Sequence, residues 1–159
     1  MTAATPSASW LKDPGHCLAL GFGSGLAPRA PGTFGSVVGV LLHLALAPLA
    51  LPVQLAVLAG LFLLGLPVCG RTARALGVHD HPAIVWDEVV AMALVLVVAD
   101  GSPASLVVGF ALFRLFDVWK PWPIRWFDRR VHGGLGVMLD DLVAALFAAA
   151  GLALLQHFA

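Results

Sequence analysis

The chain has 159 residues, 60% hydrophobic and 11% charged, with mean hydropathy +0.93 and zero formal net charge from nine basic and nine acidic residues. Soluble proteins average about 45–50% apolar and about 25% charged, so a soluble core of this size cannot hide so much apolar surface and lipid is the expected solvent. The balanced charge argues against a nucleic-acid partner, which shows a basic excess.

The N-terminal stretch MTAATPSAS is small and polar, and residues 1–9 are expected to be disordered. The first 25 residues lack a basic segment followed by a continuous apolar run, so they do not read as a cleaved signal peptide. Cys17 and Cys69 are far apart and form no CxxC pair, which makes a disulfide framework or a zinc site improbable.

GFGSGLAPRAPGTFGS, residues 21–36, is too rich in Gly and Pro for a regular helix. Such a loop can turn backbone N–H groups toward phosphate, with hydroxyls added by Ser24, Thr33 and Ser36. It matches neither GxGxxG nor GxxxxGK(S/T), and a tight connection near the interface explains it about as well.

No charged residue occurs between Arg29 and Arg71. That window fits two short apolar helices hinged at Pro48–Pro52, because proline interrupts helices. Three further apolar runs follow at Val89–Ala99, Ala104–Phe113 and Leu142–Leu155. Ala and Leu dominate them without alternation, so helix is expected. The expected fold is all-α: one membrane-embedded domain over residues 1–159, with four or five short hydrophobic helices behind a Gly/Pro-rich N-terminal loop. A soluble all-α bundle with an oily core is the competing reading.

The basic residues orient the five-helix version. Lys12 and Arg29 precede the first apolar helix, and Arg71 and Arg74 follow the second. Arg114, Lys120, Arg125, Arg129 and Arg130 lie between the fourth and fifth. All fall on one side, which the positive-inside rule makes cytoplasmic. The Gly-rich loop, the acids and Trp86, Trp119, Trp122 and Trp126 fall there too, and Trp favours the headgroup level.

Asp87 and Glu88 are expected to open the third apolar helix, and Asp140 and Asp141 the fifth. Capping accounts for one acid per helix start. Two adjacent acids, twice, in oily surroundings point to work instead, since a carboxylate near the bilayer centre costs at least about 2.5–3.5 kcal/mol. Hard oxygen ligands from two helices suit Mg²⁺, which also binds substrate phosphate. In FRLFDVWKPWPIRWFDRR, Arg114 and Asp117 are spaced to pair, and Pro121 and Pro123 stop the helix after Lys120. Asp117 can join the acids, and Lys120, Arg125 and Arg129 can hold phosphate; a plain positive-inside loop accounts for some of these cations, Arg130 first. His79 and His81 flank Asp80 in a turn-like HDHP, and His132 is a weak proton-transfer candidate.

Three blocks, GFGSGLAPRAPGTFGS, IVWDEVVAM and FRLFDVWKPWPIRWFDRRVHGGLGVMLDDLVAAL, resemble the signature blocks of the phosphatidylglycerophosphatase A family. They cover roughly half the chain. The motif sets of type-2 phosphatidate phosphatases, haloacid-dehalogenase phosphatases and CDP-alcohol phosphotransferases are missing. The resemblance implies a bacterial inner-membrane phosphatase, and the positive-inside reading puts its active site on the cytoplasmic face. It would convert phosphatidylglycerophosphate to phosphatidylglycerol and require Mg²⁺. The family's acids map onto Asp87, Glu88, Asp117, Asp128, Asp140 and Asp141, and its basic residues onto Arg114, Lys120, Arg125 and Arg129. Ala91 stands where many relatives are expected to have Gly. Joining the two lines of reading, Asp87, Glu88, Asp140 and Asp141 are expected to hold the metal, with water attacking phosphorus; an aspartyl-phosphate route through Asp117 is the alternative. The expected partners are a phospholipid substrate and the membrane, and no signal fixes an oligomeric state. A small transporter with acids lining a cation path is the competing function; it requires acids spread over membrane depth.

Overall fold

The computed structural model describes residues 5–78 and 81–158, which are helical apart from short connections. The HDHP turn therefore falls largely outside the described residues, at His79 and Asp80. The helices are α1 (Pro14–Ala19), α2 (Pro31–Leu46), α3 (Leu51–Leu76), α4 (Trp86–Leu96), α5 (Pro103–Trp119), α6 (Ile124–Arg130) and α7 (Gly133–Phe158). Tight 3₁₀ turns at Ala8–Lys12 and Gly21–Leu26 flank α1. Ala8 and Ser9, expected to be disordered, thus belong to the first turn.

Local chemistry sets the boundaries. Asp13 caps α1: its Oδ1 accepts from the backbone N–H of Gly15 at 2.9 Å and of His16 at 3.0 Å. Arg71 at the end of α3 donates to the same carboxylate at 2.8 Å and 3.2 Å, tying the N-terminal turns to α3. These bonds, the His16 N–H first, hold the Asp13 carboxyl below its ordinary range. Pro31 begins α2, where its missing N–H costs nothing. Ser102 caps α5, accepting from Ser105 N–H at 3.1 Å, and Lys120 ends it in a left-handed conformation (φ 44°) just before Pro121.

The apolar runs expected to form four or five short helices fall in α2, α3, α4, α5 and α7, of which α3 and α7 are long, and the Pro48–Pro52 hinge spans the α2–α3 connection and the first residues of α3. Four details differ. The structure adds short α1 and α6. Helix α2 starts inside the Gly-rich block, so residues 31–36 are helical. Helix α7 begins at Gly133, which places Asp140 and Asp141 two turns inside it rather than at its mouth. Trp86 is 3% exposed and donates its indole N–H to the Leu61 carbonyl at 3.2 Å, so it is a core residue, not an interfacial anchor.

Helix α4 is the axis of the assembly. It packs against α2, α3, α5 and α7, and all its residues except Glu88 and Leu94 are buried. Helix α2 reaches it through a face of small residues, with Gly32, Gly35, Ser36 and Gly39 buried while Phe34, Val37, Leu41 and Leu44 are exposed. Helix α7 shows the same tendency in part: Gly136, Asp140, Asp141, Ala144, Ala145 and Ala148 face inward beside Val137, Met138 and Leu152, while Leu146, Phe147, Leu154 and Leu155 face outward. Small and polar residues inside with large apolar ones outside is the reverse of a water-soluble helix. Helices α3 and α7, at 26 residues each, are long and apolar enough to cross a membrane; at about 1.5 Å per residue each exceeds the roughly 30 Å hydrocarbon layer.

Candidate active site

The start of α4, the start of α2, the end of α5 and the second turn of α7 meet around one pocket of about 270 Å³. Its walls carry Asp87 and Glu88 from α4, Arg114 and Asp117 from α5, Lys120 just after α5, and Asp140 and Asp141 from α7. Acids separated by more than fifty positions in the chain are thus brought together. Asp87, Glu88 and Asp141 each present a carboxylate oxygen, and these oxygens lie within 4.8 Å of one another. Asp87 Oδ1, Glu88 Oε2 and Asp141 Oδ2 are buried and accept no hydrogen bond.

Such an arrangement needs compensation. Buried charges are tolerated when paired or bound to metal, and like charges this close repel. Asp87 and Glu88 lie in the first turn of α4, where the helix dipole offsets a fraction of a charge. The buried unpartnered oxygens, all hard donors, are what a divalent cation of the Mg²⁺ type requires. The residues present therefore fit such an ion.

The cations in the pocket are already committed. Arg114 Nη1 donates to Asp117 Oδ2 at 2.5 Å, the pairing expected from their spacing. Lys120 Nζ donates to Asp128 Oδ1 at 2.7 Å and Asp140 Oδ2 at 2.6 Å, joining α5, α6 and α7. Burial alone pulls the Lys120 ammonium down, but Asp140 and Asp128 outweigh it and raise the group above the ordinary lysine range. Lys120 therefore keeps its proton at neutral pH and acts as a fixed positive charge. Asp140, expected as a metal ligand, is held by Lys120, whereas Asp141 points into the three-acid cluster.

The serine hydroxyls of the Gly-rich block bond to their own backbone. Ser24 Oγ donates to the Gly21 carbonyl at 2.8 Å, and Ser36 Oγ, fully buried, to the Gly32 carbonyl at 2.9 Å. Thr33 is half-buried; none of the three lines the acidic pocket. Arg125 and Arg129 line a separate cleft with Trp119, Trp122 and Trp126. His132 is exposed and also lies outside the acidic pocket. Among the described residues, Asp87, Glu88, Asp117, Asp140 and Asp141 gather at the start of α4, while Asp13 caps α1 and Asp100 lies beyond the other end of α4.

Sequence reasoning missed Gly32. A methyl group there would stand 2.2 Å from Glu88 Oε1 and 3.2 Å from Arg114 Nη1. Its missing side chain is the space Glu88 occupies. The signal was the small-residue spacing of Gly32, Gly35, Ser36 and Gly39, which marks a close helix contact. Because the clash is with the end of a flexible side chain, Gly32→Ala is expected to fold but to displace Glu88. Phosphatase turnover is expected to fall roughly 10–100-fold, the scale for disturbing a metal site's supporting contacts. Turnover measured beside the thermal midpoint checks this: unchanged turnover would mean that Glu88 needs no such space.

Most of the chain is matched by known proteins. The family model described as phosphatidylglycerophosphatase A matches residues 17–156. The chain is 44% identical over 153 residues to a phosphatidylglycerophosphatase A of Escherichia coli, spanning 92% of this chain and 86% of the relative. It is 46% identical over 140 residues to that of Haemophilus influenzae, spanning 87% and 86%. A Bacteroides thetaiotaomicron protein provisionally named a phosphatidylinositol-3-phosphatase is 34% identical over 136 residues, spanning 80% and 84%. No solved structure matches. With most of its length matched, and with the conjoined acids lying inside the matched region, the chain belongs to the phosphatidylglycerophosphatase A family.

Proposed function

We propose that this protein hydrolyses the terminal phosphate monoester of phosphatidylglycerophosphate, releasing phosphate and phosphatidylglycerol. The reaction takes place at the cytoplasmic face of a bacterial inner membrane and depends on Mg²⁺. The observation that carries this reading is the trio of buried, unpartnered oxygens of Asp87, Glu88 and Asp141 beside Arg114 and Lys120. The relatives' names supply the substrate. The apolar exteriors of α2 and α7, with the lengths of α3 and α7, support a lipid setting.

Asp87, Glu88 and Asp141 would hold the ion, with Asp140 fixing Lys120 beside them. When bound, a divalent ion supplies Lewis acidity toward phosphoryl oxygen and makes water a better nucleophile. Hydrolysis forms a bond from water oxygen to phosphorus, breaks the bond to the glycerol oxygen, and returns a proton to that oxygen. The chain's own contribution is electrostatic. Arg114, aimed by Asp117, and Lys120, held by Asp128 and Asp140, place two positive charges where the phosphoryl oxygens sit. Asp117 is a positioning residue here, because its carboxylate is already engaged by the guanidinium. Trapping a phosphorylated carboxylate at Asp117 would replace this scheme with a covalent one.

The decisive experiment incubates purified protein in detergent with phosphatidylglycerophosphate, with and without Mg²⁺, and measures phosphate release. Release that chelation abolishes and Mg²⁺ restores is expected. Release indifferent to chelation would remove the metal, and no release at all would remove the activity. Phosphatidylinositol 3-phosphate run in parallel is expected to react more slowly, since this chain is more similar to the two phosphatidylglycerophosphatases than to the Bacteroides protein.

A further inference from the structure

We propose that the cleft beside α6 is a docking site for the headgroup of an anionic bilayer phospholipid, separate from the acidic pocket. The cleft encloses about 540 Å³ between Trp119, Trp122 and Trp126 and the guanidinium groups of Arg125, Arg129 and Arg130, with no acidic residue in its lining. Three tryptophans are left largely in the open, at 62%, 82% and 45% exposure respectively. An indole this exposed is costly in water but suited to the headgroup layer, where its face meets acyl carbons and its N–H meets polar groups.

The charges gathered at this cleft are all of one sign. Among the described residues no carboxylate lies within ion-pair distance of Arg125, Arg129 or Arg130, and these three, unlike the scattered Lys12, Arg29 and Arg74, share one cleft. The one nearby acid in sequence, Asp128, is turned away to Lys120. Arg130 stacks over Trp126, its guanidinium carbon 5.5 Å from the ring centroid, and Arg125 donates to the Trp119 carbonyl at 3.4 Å. Those contacts hold the cations at the cleft without neutralising them. Planar guanidinium groups match a phosphodiester's oxygens two at a time. An anionic lipid is the complementary occupant: its phosphate meets the arginines while the tryptophans sit among its upper acyl carbons.

The site also answers a problem set by the acidic pocket. A cluster of carboxylates repels an anionic lipid, and an uncompensated cationic cleft on the neighbouring segment counters that repulsion. The proposal rests on the membrane setting argued above, but not on the identity of the substrate.

The test uses the full chain in nanodiscs of phosphatidylcholine with added phosphatidylserine, an anionic lipid that is neither substrate nor product of the proposed reaction. Quenching of tryptophan fluorescence by brominated phosphatidylserine is compared with quenching by brominated phosphatidylcholine. The wild-type chain is expected to prefer the anionic lipid, at roughly fivefold per arginine engaged at low salt, with the preference shrinking as salt rises. R125Q/R129Q/R130Q is expected to abolish the preference, and R130Q alone to lower it by about one such step, which keeps the test valid if the triple variant misfolds. Equal quenching by both lipids in the wild-type chain, or a preference unchanged in R130Q and the triple variant, overturns the proposal. Displacement of the lipid by soluble glycerol 3-phosphate also overturns it, since the cleft would then be a site for water-soluble phosphates. Failure to enter nanodiscs would sink the membrane reading and this inference with it, whereas entry without preference sinks this inference alone.

Discussion

Asp87→Asn, Glu88→Gln and Asp141→Asn are each expected to cut phosphate release by more than roughly 100-fold, because even contacts one step removed from a metal cost about 10–100-fold when lost. Each change is nearly isosteric and removes one charge from the cluster whose oxygens lie within 4.8 Å of one another. It also relieves repulsion among buried carboxylates, so the thermal midpoint without divalent ion is expected to hold or rise. Opposite movements of activity and stability separate a functional cluster from a structural one. The same variants should lose Mn²⁺ binding measured by electron paramagnetic resonance in the absence of substrate. Full turnover in all three would remove the cluster from the chemistry. Asp100→Asn is the natural control: that carboxylate lies beyond the far end of α4 and accepts from Ser102 N–H at 2.8 Å. Its loss is expected to leave turnover within about twofold, as for a surface change distant from the site.

Gly134→Ala is expected to have the largest effect on stability. A Cβ there would lie 1.7 Å from the Leu66 carbonyl oxygen and 3.1 Å from the Gly70 nitrogen, so backbone rather than a movable side chain blocks it. Helices α3 and α7 would have to separate, at a cost of about 1–3 kcal/mol or more. Asp141 lies two turns further along the same helix, on nearly the same face, so turnover should fall as well. Gly60→Ala supplies the comparison. Nothing lies within 4 Å of a Cβ at that position of α3, and removing an interior helical glycine is worth up to about 1 kcal/mol. Unfolding midpoints in detergent are expected to order as Gly60→Ala at or above wild type, with Gly134→Ala well below. Equal midpoints for the two variants would mean that α3 and α7 do not pack as closely as described.

The outcomes at particular residues show how far the sequence could be read. The apolar runs gave the five long helices, because composition, helix-forming residues and proline stops are local properties. Their ends were harder. Helix α7 starts seven residues before the expected opening at Asp140, since the apolar run begins only at Leu142 and the glycines before it show their role once Gly134 is seen pressed against α3. Trp86 read as an interfacial anchor because it falls on the side of the basic residues, where Trp favours the headgroup level; its burial follows from α3 packing on α4 and offering the Leu61 carbonyl. The pairing of Arg114 with Asp117 was legible because it spans one helical turn. The pairing of Lys120 with Asp128 and Asp140 was not, because it depends on how α5, α6 and α7 converge.

The sequence by itself determined that this is an all-helical, lipid-compatible chain of the phosphatidylglycerophosphatase A type, with acids and bases confined to a few segments. Those conclusions rest on composition, short-range spacing and motif order, which need no knowledge of what packs against what. Only the tertiary structure decided which acids share a pocket, that Asp140 pairs with Lys120 while Asp141 joins Asp87 and Glu88, and that Gly32 clears the space Glu88 uses. The physical reason is that carboxylates far apart in the chain interact strongly only at distances of a few ångströms, and helix packing sets those distances.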